Sequence, residues 1–164
     1  MKLLQEKKPY FFKPVNQQRR LISLGLALLP VLGFAATEKP VITMWKSPTC
    51  GCCKDWAAYI EKNGFTVKAH NDGNDEIRKK LGMPIQFGSC HTALIDGYAI
   101  EGHVPAKEIK RLLIEKPKAI GLAVPAMPVG SPGMDGPEYK GRKDPYDVLL
   151  IGLNGKPSVY QSYR

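Results

Sequence analysis

Apolar and polar positions change period repeatedly after residue 40, and each change marks a predicted element. Val41-Ile42-Thr43-Met44-Trp45, rich in β-branched and apolar residues, predicts a strand. Ser47-Pro48-Thr49 turns the chain. From Cys52 onward Trp56, Ala57, Tyr59 and Ile60 recur at helical spacing, and Asn63-Gly64 supplies the stop. Phe65 to Ala69 alternates as a second strand. Asn74-Asp75-Glu76 opens a short polar helix that ends near Gly82 and Pro84. Ser89 to Ile95 predicts a third strand, Asp96-Gly97 a tight turn, and Tyr98 to Glu101 a fourth strand running back beside it. Pro105 then starts a helix whose apolar face is Ile109, Leu112 and Leu113, and which stops before Pro117.

The pattern assigns no element to residues 118–122. Residues 123–143, punctuated by Pro125, Pro128, Pro132 and Pro137 and carrying Met127 and Met134, predict a long irregular loop. Asp147 to Leu153 and Ser158 to Tyr163 flank Asn154-Gly155, a hairpin signal, and the hairpin is expected to dock as extra sheet. The order β-α-β-α-β-β-α resembles a thioredoxin-like α/β fold, a mixed sheet with flanking helices, here extended by the Pro/Gly/Met loop and the β-hairpin. In that fold a proline normally begins the third strand and faces the loop after the first. Cys90-His91 occupies the corresponding place, which would set Cys90 against Cys50-Gly51-Cys52-Cys53.

Residues 1–35 follow a different pattern. Lys2, Lys7, Lys8, Lys13, Arg19 and Arg20 precede the apolar run Leu21 to Ala36, in which Ser23 is the one polar residue. Basic, apolar and then small residues predict an export signal, cut after Ala35 so that Gly33 and Ala35 take the small-residue positions. The run is short for a membrane span and is broken by Pro30, so no stable membrane insertion is expected once the signal is removed. Arg19-Arg20 also permits twin-arginine export. Residues 36–164 are expected to form a single domain in the periplasm. Without the leader, 18 cations and 14 anions remain, and the net charge falls from +9 to +4. The remaining cations are dispersed with no aromatic platform among them, which argues against nucleic-acid binding.

The chemistry sits in the cysteines. A helix start leaves amide groups unpaired and carries partial positive charge, which favours the thiolate, the form that ligates metal or attacks disulfides. Bridging the adjacent Cys52 and Cys53 would be strained, and only Cys90 lies outside the cluster, so a disulfide framework is a poor explanation. Cu(I) prefers soft sulfur donors, and three cysteines in one turn suit bridging thiolates and a polynuclear copper site. Zinc is the competing metal, although its four-thiolate sites more often use two separated pairs. Thiol exchange is a further alternative, with Cys50 and Cys53 as a C-x-x-C catalytic pair.

Four segments together carry a resemblance: Trp45-Lys46-Ser47-Pro48-Thr49-Cys50-Gly51-Cys52-Cys53, Ser89-Cys90-His91-Thr92-Ala93, Glu101-Gly102-His103-Val104-Pro105-Ala106, and Met127 to Met134. In combination they resemble the CopG-type copper-resistance proteins, a metal-binding family long catalogued as a domain of unknown function. The resemblance implies a periplasmic, thioredoxin-like protein that binds copper through its cysteines; a copper oxidoreductase and a non-enzymatic copper store or chaperone have the same ligand requirement, and both stay open. Its partners would be copper ions and other periplasmic copper-handling or electron-transfer proteins.

Cys50, Cys52, Cys53 and Cys90 are thus the predicted metal ligands, with His103, His91, Met127 and Met134 as secondary candidates. Strand alternation argues against Cys90 and His91 both facing the site. His70 is expected at the surface, Met44 and Met83 in the core, and Trp45 and Trp56 packed near the sulfurs.

Overall fold

The computed structural model describes residues 38–164. The predicted export signal and its cut after Ala35 lie outside the described residues. The elements are β1 (Val41–Lys46), α1 (Gly51–Lys62), β2 (Thr66–His70), α2 (Asp75–Lys80), β3 (His91–Ile95), β4 (Tyr98–Glu101), α3 (Ala106–Glu115), β5 (Ala119–Ala123), β6 (Tyr146–Gly152) and β7 (Pro157–Tyr163). One seven-stranded sheet holds all the strands in the order β2-β1-β3-β4-β5-β6-β7. The pairs β1–β2 and β4–β5 are parallel and the other four antiparallel, so the sheet is mixed and the α/β reading holds.

The sheet is covered on both faces. Ile100 and Leu122 pack with Trp56 and Ile60 of α1 and Ile109 and Leu112 of α3. Their strand neighbours Ala99 and Ala123 pack instead with Met83, Phe87 and Ile151, as the two-residue side-chain period requires. Met44 and Met83 are core residues, as expected.

Asp96 and Gly97 both have positive φ, +47° and +82°, which matches the twist of a two-residue hairpin between β3 and β4. The C-terminal hairpin pairs β6 with β7 and docks through β6 on β5.

Two differences from the expectation exceed a one-residue shift of a strand end. The first is β5, which occupies the stretch left unassigned. Its sequence Ala-Ile-Gly-Leu-Ala carries weak strand propensity, yet Gly121 is required there because a Cβ would overlap the Ala99 carbonyl of the paired strand. The second is β3, which begins at His91 rather than Ser89. The Ser89 amide donates to the Glu101 carboxylate and the Ser89 carbonyl accepts from Arg78 and Asn74, so side chains replace the ladder at that residue.

Candidate metal centre

β1 delivers the chain to a turn in which the Cys50 amide donates to the Ser47 carbonyl at 3.2 Å. Cys50 caps α1 with extended backbone and no side-chain bond to the first amides. The first turn of α1, with its partial positive charge, therefore carries Cys52 and Cys53. Cys50 and Cys53 are joined by a disulfide, their Cα atoms 5.4 Å apart, while Cys52 and Cys90 are free. The bridge is local, closing one helical turn, and is not a framework between distant segments. The sequence alone offered the C-x-x-C spacing but not this state.

All four sulfurs lie within 4.8 Å of one another. Cys52 Sγ is 3.6 Å from Cys50 Sγ and 3.9 Å from Cys90 Sγ. Cys53 Sγ sits 3.6 Å from the Cys90 carbonyl oxygen; as half of a disulfide it has no proton to donate, and it acquires one when the bridge is reduced.

Cys90 is surrounded by nitrogen donors as well. His103 Nδ1 lies 2.7 Å from the Pro132 carbonyl and so carries the proton, which leaves the Nε2 lone pair facing Cys90 Sγ at 3.1 Å. His91 Nδ1 is 3.5 Å from the same sulfur, and its Nε2 has no hydrogen-bond partner among the described residues. Cys90, His91 and His103 form a second group of donors within 4.8 Å of one another. The alternation argument against His91 fails because Cys90 precedes β3 and is not bound by its period. Burial, then the adjacent Cys52 sulfur, pushes the Cys90 thiol up to about 12, and ligation of a metal through this sulfur would require loss of that proton.

The long loop closes the site. Gly133, with φ +80°, lies so close to α1 that a Cβ would stand 2.7 Å from both the Cys52 carbonyl and the Trp56 amide. Met127 Sδ is 3.9 Å from Cys52 Sγ. The Met134 sulfur instead accepts from the Tyr139 hydroxyl at 3.5 Å. Trp56 is fully buried, donates to the Val104 carbonyl at 3.0 Å and packs on His91 with ring centroids 4.4 Å apart. Trp45 stacks on the exposed His70.

A soft, crowded sulfur cluster flanked by imidazoles is the feature by which known proteins can be compared. Residues 87–134 match a family described as "Protein of unknown function, DUF411", a span that holds Cys90, both buried histidines and the loop methionines. No curated protein matches the chain. Among solved structures, "Copper resistance protein copG- Form 2" is 43% identical over 77% of this chain and 100% of that one, with a TM-score of 0.71. The chain belongs to the CopG copper-resistance protein family. Form 1 of the same structure is also 43% identical, covering 77% of this chain and 98% of that one with a TM-score of 0.70.

The histidines give this CopG-family protein a pH dependence. Burial, then the neighbouring His103, holds His91 well below the usual histidine range, and burial lowers His103 too. Groups with depressed folded-state pKa values contribute stability that is complete above the unfolded value and is lost as pH falls toward the folded one. Metal-free protein should therefore lose stability from about pH 6.5 downward, with each histidine contributing up to about 1.4 kcal/mol per pH unit. Thermal melts between pH 8 and pH 5 check this, and a flat profile would contradict it.

Proposed function

We propose that this protein is an exported, periplasmic Cu(I)-binding protein of copper resistance, whose cargo is held by bridging thiolates of Cys50, Cys52, Cys53 and Cys90. The observation that carries the reading is the meeting of four sulfurs within 4.8 Å. A soft cation prefers this donor set, and sulfurs so crowded suit shared, polynuclear ligation better than one undistorted zinc tetrahedron. His103 and His91 add nitrogen donors on the Cys90 side, and Met127 adds a thioether beside Cys52. The charged, apolar leader of residues 1–35 supports export.

The Cys50–Cys53 bridge supports an oxidoreductase role in preference to a passive store. Closing it from two thiols releases two electrons and two protons. Two Cu(II) ions would take those electrons on becoming two Cu(I), and an external two-electron reductant reopens the bridge and resets the cycle. The protein would thereby carry copper from one oxidation state to the other.

Anaerobic Cu(I) titration of oxidised and fully reduced protein against a chelator, with zinc run in parallel, tests the reading. Reduced protein should bind more copper than oxidised protein, because reduction raises the available thiols from Cys52 and Cys90 to all four. Equal capacity in the two states, or preferential zinc uptake, would overturn it. Repeated oxidation and re-reduction of loaded protein separates the roles, since copper lost in the first cycle points to a store.

A further inference from the structure

Arg78 and Glu101 form an ion pair with Nε–Oε1 at 2.9 Å, and their side chains are 6% and 0% exposed. A buried pair is commonly no better for stability than apolar side chains of the same volume, so its presence calls for a second reason. The reason lies in what else the two side chains hold. Glu101 Oε1 accepts from the Ser89 amide at 2.7 Å, Glu101 Oε2 accepts from the Thr92 hydroxyl at 2.6 Å, and Arg78 Nη2 donates to the Ser89 carbonyl at 2.8 Å. Asn74 Nδ2 adds bonds to that carbonyl at 3.2 Å and to Thr92 Oγ1 at 3.1 Å.

Both backbone polar groups of Ser89 are thus gripped by the ion pair, and the next residue is Cys90. The Ser89 side chain carries the linkage further. Its hydroxyl donates to the carbonyl of Ala126, a residue at φ +61° that immediately precedes Met127. Gly102, beside Glu101, permits this approach, since a Cβ there would stand 2.6 Å from Ser89 Oγ and 2.5 Å from the Val124 carbonyl.

We infer that Arg78 and Glu101 are positioning residues for the copper site: they fix the Ser89 peptide, and through it set the sulfurs of Cys90 and Met127 each 3.9 Å from Cys52 Sγ. The inference rests on the copper reading for its purpose, but its geometric content can be tested without metal. The pair spares Cys90 the need for strand pairing, which would impose the β3 alternation and turn either Cys90 or His91 away from the cluster.

The test uses the full chain, reduced and metal-free, treated with iodoacetamide and analysed cysteine by cysteine by peptide mass. Glu101→Gln should raise Cys90 alkylation several-fold relative to Cys52 and weaken Cu(I) affinity in chelator competition by roughly tenfold or more, the scale of losing an outer-shell partner. A double variant, Arg78→Met with Glu101→Leu, separates placement from stability. It should still unfold cooperatively, at a temperature lowered by the bonds Ser89 and Thr92 lose, and show the same freed Cys90. Unchanged Cys90 reactivity in either folded variant overturns the inference, and so does a double variant that does not fold cooperatively, because the pair would then be serving stability. If wild-type protein takes up no Cu(I), the copper reading fails while the alkylation result still decides whether the clamp exists.

Discussion

Cys90→Ser is expected to remove most of the Cu(I) affinity and to lower the copper stoichiometry, an effect exceeding the ~10–100-fold typical of losing an outer-shell partner. Of the four cysteine sulfurs Cys90 is the one that does not come from the α1 turn, and it is also the sulfur nearest both imidazoles, 3.1 Å from His103 Nε2 and 3.5 Å from His91 Nδ1. A hydroxyl at this position is a hard donor of poor affinity for Cu(I). The substitution therefore breaks the link between the sulfur cluster and the nitrogen donors in one step. Chelator competition with metal analysis measures the result. Full stoichiometry and affinity in Cys90→Ser would place the metal on the α1 turn alone.

Cys52→Ser should separate copper binding from thiol exchange. Cys52 is free, lies 3.6 to 3.9 Å from three sulfur atoms (those of Cys50, Cys90 and Met127), and takes no part in the bridge. Its loss removes a central donor and should weaken Cu(I) binding roughly tenfold or more, while Cys50 and Cys53 keep the C-x-x-C arrangement that attacks and resolves disulfides. Any insulin-reductase activity of the metal-free protein should accordingly persist in the variant and be blocked in wild type by added Cu(I). Unchanged copper affinity with lost reductase activity would reverse the assignment and make thiol exchange the primary chemistry.

Much of this site was legible before the fold, and the reasons are local. Val41 to Trp45 and the Asp96-Gly97 turn carry short-range signals, and these fix the strands that bring residue 90 beside residues 50–53. β5 escaped because alanine and glycine give little strand signal, and its place depends on contact with Ala99 across the parallel pair. The Arg78–Glu101 clamp escaped for a different reason. Its partners are 23 residues apart and reveal nothing until the fold brings them together. Cys90 and His91 both face the cluster because strand alternation begins only at His91, the first residue of β3.

Gly133 contributes no donor atom, yet its contact with the Cys52 carbonyl bears on how fast a site can capture metal. Because the proline-rich loop is seated against α1 by contacts within the chain itself, the conformational entropy of ordering it is spent during folding. Met127 is in consequence a tethered candidate donor at high local concentration, its sulfur 3.9 Å from Cys52 Sγ. An added methyl group at residue 133 would uncouple loop ordering from folding, leaving every candidate donor in the sequence and a slower, entropically opposed assembly of the site.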